Sequence, residues 1–316
     1  MTKILITGGA GFIPSCMADE LIKDPDNTVI AVDNFLTGSP LKVSKSKLDN
    51  YQFIEGDCND LKQMEAIFDD HSFDYIFHYA AVVGVKRTTD QPLLVLEDIE
   101  GLKNIFGLAA KQNVKRIFFS SSSEVYGEPV ELPQHEQTTP LNSKLPYAIV
   151  KNIGEAFCRS YHQAYGLEYT IFRFFNTFGP KQSPDFVMSK FLKQALNNED
   201  ITIYGDGSQT RTFCYIDDNI QGCIKAFKEN KFVNDVINVG NDKEISILEL
   251  AKTIISITKS KSKIIFLPPL KEGDMTRRQP NTTNIRSLLG REFLPLKDGI
   301  EKVVSSELYK KLNELN

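Results

Sequence analysis

Short β-branched and aromatic runs alternate with longer stretches of helical periodicity through the first 176 residues. The runs at 3–7, 28–32, 51–55 and 75–79, the run that ends in the serines at 120–123, and the run at 169–176 each read as a strand. Between them, segments reaching to about residue 23 and covering about 61–69, 93–112 and 147–165 repeat their apolar positions at the spacing of one helix face. Strand alternating with helix predicts an α/β fold on a doubly wound parallel sheet, with ligands at the strand C-termini. Beyond Asn176 the rhythm breaks at Phe178-Gly179-Pro180. A helix at 188–196, a strand at 201–204 and a further strand and helix after Arg211 follow, and 235–240 reads as a strand returning to the first sheet. The last third reads as irregular. The expectation is a nucleotide-binding domain over 1–176, with a returning segment at about 215–240, and a smaller C-terminal substrate lobe over 177–316 interleaved with it.

The first strand runs into Gly8-Gly9-Ala10-Gly11-Phe12-Ile13-Pro14. Strand, glycine turn and helix make the dinucleotide-binding arrangement of a Rossmann domain, in which N–H groups at a helix N-terminus face a pyrophosphate. Pro14 stands where the third glycine is usual, a departure the first helical turn tolerates because its N–H groups lack intrahelical partners. Asp33 follows Gly11 by 22 residues, near the ~20-residue interval of the acid that binds the adenosine ribose. An acid there repels a 2′-phosphate, which favours NAD over NADP. Asp57, next to Cys58, is placed to accept a hydrogen bond from adenine, and Ala80-Ala81 leave room for a flat cofactor. The expected cofactor contacts are Gly8, Gly11, Phe12, Ile13, Asp33, Asn34, Asp57, Cys58, Ala80 and Ala81, together with Tyr147 and Lys151 further along the chain. Lys86 and Arg87, at the mouth of the expected crevice, are candidates to meet an anionic substrate.

The chemistry concentrates between Phe118 and Lys151. Tyr147 and Lys151 sit four apart in a helical segment and therefore share a face. An ammonium beside a phenol, with a cationic nicotinamide ring in the same pocket, stabilises the phenolate and makes Tyr147 usable as acid and base. Ser122, at the end of its strand, is placed to hold the same substrate oxygen. Glu124 lies two residues further on, on the side of Ser122 if the pleat continues, with Ser123 facing away.

Composition excludes several classes. A net charge of -4 over 316 residues leaves no basic stripe for nucleic acid. The N-terminus enters a strand without the regions of a signal peptide, and no apolar run approaches ~20 residues, so a cytoplasmic protein with no membrane partner is expected. The five cysteines and four histidines show no metal-ligand spacing, and the cysteines read as reduced.

Taken together, the opening glycine motif, Asp33, SSEVYG, YAIVK, Arg173-Phe174-Phe175-Asn176, YGDGSQTR and GDMTRR resemble the extended short-chain dehydrogenase/reductases that modify nucleotide sugars. The resemblance spans nearly the whole chain. It implies bound NAD, a nucleoside-diphosphate sugar as substrate, and a catalytic set of Ser122, Tyr147 and Lys151. It also implies that Asn176, Arg211, Arg277 and Arg278 bind the diphosphate and nucleoside. Members commonly have Asn where this chain has Asp98, and Leu where it has Tyr79. The segment from Ser122 to Gly127 is similar to that of UDP-glucuronate decarboxylases, which brings in Glu124 as catalytic and Ser123 as a substrate contact and implies loss of carbon dioxide through a 4-keto sugar. A 4-epimerase or 4,6-dehydratase is the alternative, and a non-catalytic dinucleotide-binding regulator a minor one. The resemblance further suggests a homodimer with Phe106, Ile149 and Phe157 as contacts.

Overall fold

The computed structural model describes residues 1–45, 49–269 and 277–314. Gly273, Asp274, Met275 and Thr276 of the expected arginine motif, and part of the stretch at 36–50, lie outside them. The chain divides into two units. One comprises Met1–Val125, Ser143–Arg173 and Cys223–Ile237, the other Tyr126–Asn142, Phe174–Gly222 and Asn238–Asn316.

The first unit is built from β1 (Thr2–Thr7), α1 (Phe12–Leu21), β2 (Asn27–Asp33), β3 (Tyr51–Glu55), α2 (Leu61–Asp70), β4 (Tyr75–His78), α3 (Val85–Asp90), α4 (Pro92–Lys111), β5 (Arg116–Ser122), α5 (Pro146–Tyr165) and β6 (Glu168–Phe174). The returning strand, β7 (Asp235–Val239), takes the edge of a seven-stranded sheet of order β7-β6-β5-β4-β1-β2-β3. The pairings of β1 with β2 and β4, of β2 with β3 and of β4 with β5 are parallel. This is the doubly wound α/β arrangement that the alternation predicts, and its order reverses beside β1.

Local chemistry sets the element ends. Asp60 caps α2 by accepting the N–H groups of Lys62 and Gln63. Pro92 and Pro146 open α4 and α5, where a missing N–H costs nothing. Gly166, at φ +72°, closes α5 in the left-handed conformation. Every residue of β5 is buried, and Phe77, Phe118 and Phe172 stack across β4, β5 and β6 with centroids 4.5 and 5.9 Å apart. Arg116 is buried with the strand because its guanidinium bonds the carbonyl of Lys231 and the side chain of Asn230 and lies over the Phe118 ring.

The segment carrying Lys86 and Arg87 folds into α3. One expectation changes: the last third, expected to be irregular, is largely helical, with helices at Ile247–Thr258, Thr283–Leu289, Leu296–Ser305 and Glu307–Glu314. A capping box starts the first of these: Ser246 accepts the N–H of Glu249, whose carboxylate accepts the N–H of Ser246. In the second unit Ile264–Leu267 pairs with Ile201–Tyr204 in parallel, and Glu244–Ser246 with Thr210–Thr212 antiparallel.

Candidate active site

The glycine turn works through close approach. Gly8 has φ +74°, and a Cβ there would lie 2.9 Å from the Ala80 nitrogen; one on Gly9 would lie 2.7 Å from Ala31 Cβ. Thr7 holds this closeness: its hydroxyl oxygen accepts the N–H groups of Tyr79 at 3.0 Å and Ala80 at 3.1 Å, and lies 2.8 Å from His78 Nδ1. Sequence reasoning missed Thr7, though a hydroxyl ending an apolar strand was its signal. Gly11 caps α1, and Phe12 and Ile13 begin it, where backbone N–H groups have no intrahelical carbonyl to serve. Pro14 falls in the first turn, and α1 forms without a break.

Asp33 is buried. Its carboxylate accepts the N–H of Ala10 at 3.0 Å and of Phe35 at 2.7 Å, so it braces the glycine turn. Burial holds its carboxyl above the usual value, against those two bonds and the nearby charge of buried Lys42. Asn34 donates to Asp57, and Asp57 also accepts the N–H of Asn59. Cys58 is buried, and burial pushes its thiol up to about 12, so it is an inert wall. The other four cysteines also stand outside any disulfide. Ala80 and Ala81 are half-buried after β4. A close-approach turn, a helix N-terminus and an acid at the end of β2 fit a dinucleotide.

On the other side of β1, α5 is fastened to β5 at three successive points. Lys151 donates to Ser120 Oγ at 3.2 Å, Glu155 accepts from Ser121 Oγ at 2.7 Å, and Gly154 leaves space for the Phe119 ring, whose Cζ a Cβ would approach to 2.1 Å. Glu155 also binds Arg173 through Nε at 2.8 Å and Nη2 at 2.7 Å. Burial raises the Glu155 carboxyl, but Arg173, with Ser121 and Arg159, outweighs it and holds the group below its usual value. Tyr147 and Lys151 share one face of α5, with Lys151 Nζ 5.8 Å from the Tyr147 ring centroid. Only 5% of Lys151 is exposed, and burial lowers its ammonium to about 8.

Ser122 ends β5, and the pleat stops with it. A 3-10 turn over Ser123–Tyr126 follows, so the expected alternation does not reach Glu124; the N–H of Glu124 instead bonds Ser122 Oγ at 3.2 Å. Ser123 is 2% exposed, which leaves it no surface for a ligand in this structure. Arg87 donates to the carbonyl of Val83 one turn back. Tyr79 is buried, and its phenol meets the buried Cys223.

In the second unit Asn176 is half-buried and its carbonyl accepts the N–H of Cys214. Arg211, on a strand, is buried and donates to the carbonyl of Thr210. The two neighbouring arginines part company. Arg277 is exposed and gripped by both carboxylate oxygens of Glu244, at 3.1 and 2.6 Å, so its fork is already taken, whereas Arg278 is buried.

The model of the NAD dependent epimerase/dehydratase family matches residues 4–240. The chain belongs to that family. Its cofactor is accordingly NAD, and it is an enzyme of the family's epimerase, dehydratase and decarboxylase type. It is 35% identical over 311 residues to UDP-glucuronic acid decarboxylase 1 of Danio rerio, covering 96% of this chain and 72% of the relative. It is 36% identical over 299 residues to the UDP-N-acetyl-alpha-D-glucosaminuronate decarboxylase of Bacillus cytotoxicus, covering 90% of this chain and 91% of the relative. The crystal structure of a UDP-glucose 4-epimerase from Thermotoga maritima, solved with UDP-glucose, superposes over 100% of both chains at TM-score 0.90 and 32% identity. Among the described residues no helix is long and apolar enough to cross a membrane, and no cluster of three or more His, Cys, Asp or Glu is arranged to hold a metal.

Proposed function

We propose that this chain removes the carboxylate of a nucleoside-diphosphate uronic acid, with UDP-glucuronate as the substrate, giving UDP-xylose or its 4-keto precursor. The observation that carries this reading is Glu124, an acid placed by a 3-10 turn two residues from Ser122 and bonded to it through the backbone. An acid there serves a reaction in which a proton is moved at C5. It has less use in turning over C4. The relatives named as decarboxylases point the same way.

Tyr147 takes the proton of the sugar 4-hydroxyl, and the Lys151 ammonium stabilises the phenolate that allows it. Ser122 holds the same oxygen through a hydrogen bond. NAD, held at the glycine turn of Gly8 and Gly11 with Asp33 beside it, would supply a hydride acceptor for C4 and a hydride donor afterwards. Once C4 is a ketone, the C5 carboxylate is that of a β-keto acid and leaves as carbon dioxide, while Ser122 and Tyr147 stabilise the enolate oxygen. C5 then takes a proton in place of the lost carboxylate, and the Glu124 carboxyl delivers it and recovers one from solvent. In the second unit, Asn176, Arg211 and Arg278 hold the nucleotide diphosphate; guanidinium forks match phosphate oxygens. Arg277 takes part only by exchanging Glu244 for phosphate.

A 4-epimerase is the second reading, favoured by the likeness to the Thermotoga maritima enzyme. Mass spectrometry of products from UDP-glucuronate, UDP-glucose, dTDP-glucose and GDP-mannose separates them. Decarboxylation removes the mass of carbon dioxide from UDP-glucuronate. A product of unchanged mass supports the epimerase, and loss of water a dehydratase.

A further inference from the structure

Arg277 and Arg278 are neighbours in the chain, yet the first is half-exposed and gripped while the second is buried. The grip on Arg277 is specific. It donates from Nε to Glu244 Oε1 at 3.1 Å and from Nη2 to Oε2 at 2.6 Å, and the Thr210 hydroxyl donates to the same Oε1 at 2.7 Å. Two parallel charge-assisted bonds are the strong form of an arginine-carboxylate contact. The bonds from Arg277 hold the Glu244 carboxyl below its usual value, against the effect of burial.

Strand register decides which way these groups face. Glu244 pairs with Thr212, Ile245 with Arg211 and Ser246 with Thr210. Side chains alternate along a strand, so Thr210, Thr212 and Glu244 share one face and Arg211 turns to the other. The bond between Thr210 and Glu244 agrees with that shared face. Arg277 is therefore drawn to the face opposite Arg211. Arg278 is fastened on both sides. Before it, Arg277 binds Glu244; after it, Gln279 Nε2 donates to the carbonyl of Asp242 at 3.0 Å, so residues 277 and 279 lie on 244 and 242 like two rungs. The N–H of Gln134 donates to the Gln279 carbonyl, and the N–H of Asn281 to the Gln134 carbonyl, both at 2.7 Å. Between the rungs Arg278 is 7% exposed.

We infer that Arg277 and Glu244 are positioning residues, an ion-pair latch that stays closed when the nucleotide binds and sets Arg278 against its diphosphate. The inference rests on the proposed reading of Arg278 as a diphosphate ligand. For Arg277 to serve phosphate directly, it would have to break both bonds to Glu244, leave that carboxylate with Thr210 alone, and swing away from the face on which register places it. Kept closed, the same two bonds hold the chain one residue before Arg278 and spare its side chain the cost of ordering on binding.

The two roles open to Arg277 give opposite signs at Glu244. As half of a latch, Glu244 helps binding; as a rival of phosphate, it hinders binding. Calorimetry on the NAD-bound protein is run with UDP, dTDP and GDP, and the tightest binder serves as the probe. Glu244→Gln keeps an oxygen for the Thr210 hydroxyl and removes the charge. Its dissociation constant is expected to rise about fivefold or more. Unchanged or tighter binding overturns the latch. Arg277→Met is expected to lose affinity to a similar extent, and the swapped pair, Glu244→Arg with Arg277→Glu, to recover much of it. If Glu244→Gln does not fold, the swapped pair decides, and no recovery there overturns the inference. Turnover gives a further readout. KM is expected to rise in Glu244→Gln with kcat within about twofold of wild type, since a grip remote from the chemistry is lost equally in ground and transition states. A fall in kcat at unchanged KM overturns the inference. Arg278→Met separates the latch from the reading beneath it. Loss of affinity in Arg278→Met but not in Glu244→Gln overturns the latch alone, whereas full affinity in Arg278→Met removes Arg278 from the nucleotide site and overturns both.

Discussion

The backbone N–H of Glu124 donates to the side-chain oxygen of Ser122 at 3.2 Å. That bond draws the chain out of β5 into a 3-10 turn, so the carboxylate is aimed by the turn and not by the pleat. Glu124→Gln preserves the backbone bond and removes the carboxyl that carries the proton to C5. With UDP-glucuronate the variant is expected to oxidise C4, visible as the absorbance of bound NADH, and to stall before product. Product formation at the wild-type rate would return Glu124 to a purely structural role and favour the epimerase.

Tyr147→Phe removes one hydroxyl from α5 and leaves the glycine turn untouched. NAD affinity by calorimetry is expected to stay within a few-fold of wild type while turnover falls by about 10²-fold or more. Near-normal turnover in a folded variant sinks the mechanism.

Glu155 is fully buried and meets Arg173 through two bonds. Glu155→Gln leaves the Arg173 guanidinium uncompensated in the interior, which is expected to cost about 3–5 kcal/mol in denaturant unfolding. Because α5 is the helix so fastened, kcat is expected to fall as well. Loss of less than about 1 kcal/mol would show the pair to be dispensable.

His78 makes a pH prediction. Its ring titrates at about 3 in the fold against 6.5 unperturbed. Between those values the unfolded chain binds the extra proton, so stability rises with pH across the window and is lost on acidification. The loss between pH 7 and pH 5 is about 2 kcal/mol from this residue. Asp98, whose folded value is raised to about 6, works in the opposite direction over part of the same range, so the wild-type slope mixes the two. His78→Asn is therefore expected to unfold with a drop smaller than that of wild type by about 2 kcal/mol over this interval. Equal drops would show that His78 is protonated in the native state.

Asp33 carries the prediction on cofactor choice. NAD is expected to bind at least about tenfold more tightly than NADP, on the order of 1.4 kcal/mol, because the carboxylate faces a 2′-phosphate. Its bonds to Ala10 and Phe35 make Asp33→Ala a disruption of the glycine turn too, so the comparison belongs in the wild-type protein. Equal calorimetric affinities would leave Asp33 with the bracing role alone.

Local period and spacing carry most of what could be read beforehand. The strand at 51–55 appears with those bounds, and Tyr147 and Lys151 fall on one helix, because both features depend on a few neighbouring residues. Contacts between distant residues were not legible. Nothing near Arg277 in the chain announces Glu244, 33 residues earlier, and nothing near Glu155 announces Arg173. Phe106, expected at a dimer contact, is fully buried in its own protomer against Phe157 and Tyr161, while Ile149 is 42% exposed. Helical spacing gives a face but not what covers it. The helices of the last third were legible and passed over, since Ser246 and Glu249 stand at capping-box spacing.

The order in which the first unit receives its parts bears on its synthesis. Its three segments are separated by 126–142 and 174–222, and its edge strand β7 arrives only at Asp235–Val239. A ribosome has therefore made the glycine turn, Ser122, Tyr147 and Lys151 long before it makes the strand that covers the open side of β6. Until then β6 presents an unpaired edge, which is the part of a nascent chain most prone to pairing with a neighbour. A fragment ending after α5 would hold Ser122, Glu124, Tyr147 and Lys151 and still lack β6 and β7, the two strands at one side of its sheet.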